Sequence, residues 1–252
     1  MGRVDGRVAI ITGSTYGIGE AIARVLAKEG ALSIITGRSR EEGRQVVEAI
    51  NSAGGRSEYY PLDVTDEKRI EEVSKAVYEK YGRIDILVNN AGTLAPMGLL
   101  GMHGAREIAQ GVMLNLSAPL MLSDAFCRAT CDLSDRRILH VSSGAARTPY
   151  PGWSVYCATK AALDHHARAV AEEVHPGLRI ASVAPGVLDT AMQAESRASS
   201  VQRFPQRARF DELHRQGGLI APADAATRLV DYLLAEHFGS ATTTDLRNLP
   251  AS

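Results

Sequence analysis

Two residues of this 252-residue chain stand at a spacing that suits proton transfer: Tyr156 and Lys160, in Tyr156-Cys-Ala-Thr-Lys160. Near a helix start, residues four apart share a face. A phenol with an ordinary pKa of about 10 is a reluctant acid at neutral pH, and a neighbouring cation lowers that value by favouring the phenolate. The pair predicts a tyrosine general acid/base tuned by lysine, suited to an oxygen that gains or loses a proton. Tyr-x-x-x-Lys is also an ordinary surface helix pair, so its meaning depends on what surrounds it.

A second set of residues suits phosphate. Thr12-Gly13-Ser14-Thr15-Tyr16-Gly17-Ile18-Gly19 lies between an apolar run, Val8 to Thr12, and an amphipathic stretch from about Gly19 to Glu29. Glycines there permit a tight turn and close backbone approach, and the helix start offers free N–H groups to a pyrophosphate. Gly13, Ser14, Tyr16, Gly17, Ile18 and Gly19 are therefore candidate dinucleotide contacts. The second apolar run, Leu32 to Thr36, is followed by Gly37-Arg38-Ser39. An acid at that point would hold a ribose 2′-hydroxyl; Arg38 beside Ser39 instead suits a 2′-phosphate, so NADP(H) is expected rather than NAD.

The elements that must position these residues alternate. Strands are predicted at Glu58 to Leu62, Ile84 to Val88, Arg137 to Val141 and Arg179 to Ala184. Helices are predicted near Arg40 to Ala53, Asp66 to Tyr81, Ala105 to Ala129 and Val155 to Val174. Repeated βαβ units with continuous apolar strands imply an α/β, single-domain, doubly wound parallel sheet of about seven strands, a Rossmann fold with helices on both faces. A final helix opens at Pro222 and a last strand covers about Ala241 to Leu246. Residues 187–220, rich in Arg, Gln and Ser with scattered Met192, Phe204 and Phe210, break the pattern and read as a lid.

Composition sets outer limits. A core-forming 45% hydrophobic content and a formal charge of −1 give no global field for nucleic acid or an anionic membrane. The start of the chain is polar and no run is long enough to span a bilayer, so a cytoplasmic protein without membrane or nucleic-acid partners is expected. Cys127 and Cys131 lie one helical turn apart, but two thiols do not complete a tetrahedral metal site, and none is expected.

The motifs taken in order resemble the short-chain dehydrogenase/reductase family over nearly the whole chain. The three-then-one spacing of Gly13, Gly17 and Gly19 is the family's. So is the order of Asn89-Asn90-Ala91-Gly92, Asn115, Ser143, Tyr156, Lys160 and Pro185-Gly186, with Ser143 thirteen positions before Tyr156. The resemblance implies that Ser143 orients a substrate carbonyl, Tyr156 is the acid/base, and Lys160 assists it. It also implies that Asn115 holds a water linking Lys160 to solvent. Asp63 would touch adenine, and Pro185-Gly186 with Thr190 would bind the carboxamide; Asn89-Asn90-Ala91-Gly92 would stabilise the sheet, and Val64, Asn90, Ala91, Gly92 and Leu188 would be further cofactor contacts. Ser142 is expected to make a structural bond only.

Three stretches narrow the branch to one resembling sepiapterin and benzil reductases: Pro151 to Cys157, Ala184 to Gln193 and Phe238 to Asp245. That likeness implies reduction of a ketone or vicinal diketone, with Trp153, Leu188, Met192 and Phe204 lining the pocket. Asp245 would grip a guanidine-like edge of a pterin. A homodimer or homotetramer is implied as well. Two other functions fit the same motifs: an alcohol dehydrogenase running oxidatively in a biosynthetic pathway, and a non-catalytic protein that senses NADP.

Overall fold

Val8, Ala9, Ile10 and Ile11 are all buried, as a strand covered on both faces requires. They form β1 (Val8–Ile11) of a computed structural model that describes residues 2–173 and 175–249. The other strands are β2 (Leu32–Gly37), β3 (Arg56–Pro61), β4 (Ile86–Asn89), β5 (Arg136–Val141), β6 (Leu178–Ala184) and β7 (Thr243–Asp245). They make one sheet in the order β3-β2-β1-β4-β5-β6-β7, every pair parallel. The chain reverses direction of sheet growth between β1 and β4, and in such sheets ligands bind beyond the carboxyl ends of the strands at that switch.

Nine α-helices appear among the described residues: α1 (Gly17–Lys28), α2 (Arg40–Ser52), α3 (Glu67–Tyr81), α4 (Ala105–Val112), α5 (Ala118–Ala129), α6 (Ser154–Glu172), α7 (Ala191–Ala198), α8 (Arg207–Arg215) and α9 (Pro222–Leu234). Local chemistry sets their ends. Ser39 and Asp66 accept from the backbone N–H groups of Glu42 and Arg69 at the starts of α2 and α3, and Gly82 stops α3 at φ 68°. One apolar layer joins α1 and α9 to the sheet, and a second packs α3, α5 and α6 on the other face. This is the expected single-domain doubly wound fold. The end of the helix predicted to Val174 lies outside the described residues.

One expectation needs correction. The helix predicted from Ala105 to Ala129 is interrupted by a π-turn over Met113–Ser117. Pro119 has no N–H to give to the carbonyl of Asn115, four residues earlier, and the Asn115 amide bonds both main-chain groups of Thr93 (2.8 Å each). The segment at 187–220 leaves the βα alternation, as expected. It carries α7 and α8, and its two ends are tied where Leu188 pairs with Ile220.

Candidate active site

The carboxyl ends of the strands open into one cleft of about 1110 Å³, more than a small organic ligand alone requires. Its first wall is the loop between β1 and α1. Gly13 and Gly17 stand at φ 59° and 62°, in the left-handed region that only glycine enters freely. A Cβ on Gly19 would meet Gly13 O and Asn90 Nδ2 at 2.4 Å. Asn90 fixes this approach: its Nδ2 donates to Gly13 O (2.9 Å) and Thr12 O (2.8 Å), and its backbone N–H donates to Thr12 Oγ1. Tyr16, the exposed N-cap of α1, offers no side-chain bond to the helix start, so the first N–H groups of α1 face the cleft without a protein cap. This bare, backbone-lined cradle fits a pyrophosphate.

Ser14 departs from expectation. It is fully buried, and its hydroxyl donates to Ile11 O (2.7 Å) and accepts from Thr36 N (3.0 Å), joining β1 to β2 away from the cleft. The other predicted cofactor residues line the cleft: Gly13, Tyr16, Gly17, Ile18, Gly19, Arg38, Ser39, Asp63, Val64, Asn90, Ala91, Gly92, Tyr156, Lys160, Pro185, Gly186, Leu188 and Thr190. At the far end, Arg38 is exposed and free to meet a ligand. Glu42, not anticipated from the sequence, also lines this end and accepts from Thr15 Oγ1 at 3.2 Å. Asp63 accepts from both the N–H and the hydroxyl of Thr65, and these bonds hold its carboxyl below the usual range against the opposing effect of burial.

The residues expected to carry the chemistry meet where β5 ends and α6 begins. Ser143 follows β5, and its Oγ accepts from Ala145 N at 3.1 Å. Tyr156 and Lys160 are both buried on α6, with the ammonium 5.7 Å from the phenol ring centre. Lys160 Nζ donates to Val141 O at 2.8 Å. Burial pushes the Tyr156 phenol up to about 12, the facing Ser143 hydroxyl opposing this, and pulls Lys160 down to about 8. The expected lowering of the tyrosine by the lysine is therefore overridden: desolvation of the phenolate outweighs a cation held on Val141. The tyrosine consequently carries its proton throughout the neutral range.

Asn115 does not line the cleft. It lies behind Gly92, where an added Cβ would sit 3.2 Å from Asn115 Oδ1 and 3.8 Å from Lys160 Nζ. Its side chain is engaged by Thr93, and its main-chain carbonyl lacks the usual i+4 donor because Pro119 has no N–H. Ser142 makes the structural bond expected of it, donating to Asp164 at 2.6 Å.

The end of the cleft beyond Tyr156 is aromatic. Trp153 stacks on Phe204 with ring centres 4.6 Å apart and meets Tyr156 edge-on at 5.7 Å. It lines the cleft with Leu188 and Met192, as predicted, but Phe204 does not: it is wholly buried behind Trp153, and Phe210 takes the wall instead. Tyr150 and Arg209 also face the opening, unforeseen from the sequence. Asp245 lines the cleft too, yet both its carboxylate oxygens already accept from the guanidinium of Arg247 at 2.8 Å. The fork that was expected to hold a pterin edge is thus filled from within the chain, and a pterin would have to displace Arg247.

Known proteins bear on this geometry. Over 241 residues the chain is 34% identical to benzil reductase ((S)-benzoin forming) of Bacillus cereus, covering 92% of this chain and 96% of that one. It is 30% identical to sepiapterin reductase of Rattus norvegicus, covering 98% and 99%. A solved structure of an actinorhodin polyketide ketoreductase variant with NADPH superposes with a TM-score of 0.87 at 26% identity, covering 99% of this chain and 100% of that one. Residues 7–200 match the family described as short chain dehydrogenase, and the chain is a member of that oxidoreductase family.

Proposed function

We propose that the protein is an NADPH-dependent carbonyl reductase whose preferred substrate is a flat aromatic ketone or vicinal diketone of the benzil type. The observation that carries this reading is the buried, protonated Tyr156 beside Ser143, at the foot of an aromatic wall made by Trp153, Tyr150 and Phe210. A reduced nicotinamide bound in the cleft supplies the hydride. The chain's own residues do the rest. Ser143 and Tyr156 hold the carbonyl oxygen, and Tyr156 gives it a proton as negative charge develops there. Lys160 stabilises the phenolate that remains. The Asn115 carbonyl, to which Pro119 can give no N–H, would hold a water through which Lys160 regains protons from solvent.

The pairing of Asp245 with Arg247 favours a neutral diketone over a pterin as substrate. An NADPH-oxidation assay over benzil, sepiapterin and an acyl thioester tests this. Benzil should be turned over fastest; a clear preference for either of the others would overturn the substrate assignment. The same screen run with NADP and the corresponding alcohols distinguishes an enzyme that works oxidatively.

NADP(H) over NAD(H) rests on Arg38 at the adenine end, where it acts on Asp63 and shares the wall with Glu42. Arg38→Asp replaces an attraction for the 2′-phosphate by repulsion, and loss of a charge-assisted pair of about 1.5 to 3 kcal/mol corresponds to roughly 10- to 100-fold. The ratio of kcat/KM for NADPH to that for NADH should fall by that factor. An unchanged ratio would remove Arg38 as the determinant.

A further inference from the structure

Asp164 is a buried carboxylate that the reaction outlined above does not use. It lies one turn beyond Lys160 on the same face of α6, and two turns beyond Tyr156. Its Oδ1 accepts from two hydroxyls, Ser142 at 2.6 Å and Ser182 at 2.7 Å. Its Oδ2 faces the guanidinium of Arg147 at 3.7 Å. Ser142 directly precedes Ser143, Ser182 is on β6, and Arg147 also donates to Thr244 O at 2.9 Å, next to Asp245 on β7. One carboxylate therefore touches the catalytic helix, the serine loop and the strand beneath the cleft, and reaches the last strand through Arg147.

We propose that Asp164 is a positioning residue of the reaction centre: its negative charge keeps the Lys160 ammonium charged, and its two hydroxyl bonds hold the Ser143 loop against α6. A purely structural acceptor would need no charge at this place. Burying a carboxylate is costly unless it is paired and hydrogen-bonded, and hydroxyl partners alone could be served equally well by a neutral amide. The charge is useful to its neighbour. Burial opposes the ammonium of Lys160, and Asp164 is the group that opposes that loss.

The other titratable groups around the pair are accounted for. His140 approaches from β5, and burial holds it neutral, at about 3. Tyr156 is neutral on the preceding turn of α6. Arg147 stands behind Asp164 and also acts on Asp245. His166, further along α6, hydrogen-bonds His140 and is held low by burial. Ser182 on β6 and Asn115 beside Gly92 carry no charge. Asp164 is thus the negative charge that acts on Lys160, and Arg147 is the cation that partly masks it.

This inference rests on the reading of Tyr156 and Lys160 as the reaction centre, but its test needs no turnover. The chain has five lysines, so labelling with lysine carrying carbon-13 at Cε gives five resonances, and that of Lys160 is the one lost in Lys160→Met. Asp164→Asn keeps an oxygen that can accept from Ser142 and Ser182 while removing the charge. Its Lys160 resonance should titrate about one pH unit lower than in the wild type. Arg147→Ala, at a half-exposed position less able to disturb folding, removes the masking cation and should move the midpoint upward.

Kinetics supply a second readout. For Asp164→Asn, kcat/KM should lie within threefold of wild type at pH 6 and roughly ninefold below it at pH 9, as a one-unit fall from about 8 requires. A Lys160 midpoint that moves in neither variant, or moves the same way in both, would overturn the proposal. So would an equal activity loss at both pH values. If Asp164→Asn does not fold, Arg147→Ala decides alone: an upward shift supports the proposal, and no shift contradicts it. A wild type that reduces no carbonyl while both midpoints move as stated would fault the assigned reaction and leave the electrostatic role of Asp164 standing.

Discussion

Tyr156→Phe should lose about 10³-fold in turnover while still binding NADPH with near wild-type affinity. The substitution removes one hydroxyl and keeps the ring, so the edge-on contact with Trp153 and the burial of this part of α6 persist. The size of the effect follows from the environment. A phenol held at about 12 is fully protonated at neutral pH and is positioned to donate, and Phe offers no proton to replace it. Ser143 can still hold the carbonyl, which leaves a residual rate. NADPH titration by fluorescence, beside single-turnover measurement on benzil, separates binding from chemistry. Activity within tenfold of wild type would remove Tyr156 from the role assigned to it.

Gly19→Ala should be nearly as damaging, by a different route. The added methyl would lie 2.4 Å from Gly13 O and from Asn90 Nδ2. Neither can retreat cheaply, because that same Nδ2 also bonds Thr12 O and fixes the loop to the end of β4. Overpacking of this kind costs about 1 to 3 kcal/mol. Because the displaced atoms form the phosphate cradle, dinucleotide affinity should fall by about 100-fold along with the melting temperature. Wild-type NADPH affinity in a folded Gly19→Ala protein would mean that the loop does not hold the pyrophosphate.

The sequence was most legible where backbone conformation or catalytic chemistry restricts residue type. The glycines between β1 and α1, Asn90 and the Tyr156–Lys160 spacing each occupy a place where few side chains would serve, and all of them line the cleft. Alternating apolar runs placed the strands within two residues because both faces of the sheet are covered. Legibility failed where tertiary packing chose between equivalent residues. Phe204 and Phe210 are alike in sequence, and only the stacking on Trp153 buries one behind the other. Ser14 looked like a loop hydroxyl, but the turn directs it inward onto β1 and β2.

Some missed features did have a signal. Pro119 lies inside the predicted Ala105 to Ala129 helix, where it had to leave the Asn115 carbonyl without its usual partner. Arg247 stands two residues after Asp245, which caps the short turn Leu246–Asn248 by accepting from Arg247 N, so the pairing is local in sequence. Asp164 continues the four-residue spacing of Tyr156 and Lys160. Its meaning, however, depends on Ser182 and Arg147, which only the folded sheet brings to it.

The central claim is that this chain delivers a hydride to a carbonyl carbon, and isotope transfer measures that directly. NADPH carrying deuterium at both C4 positions, incubated with the wild-type protein and benzil, should yield benzoin with one deuterium on the new carbinol carbon, at one mole per mole of cofactor oxidised. Tyr156→Phe should slow the formation of that product by about 10³-fold without changing where the label goes. Oxidation of the cofactor without deuterium in the product, or no reduction of any aromatic ketone or diketone by a protein that binds NADPH, would contradict it.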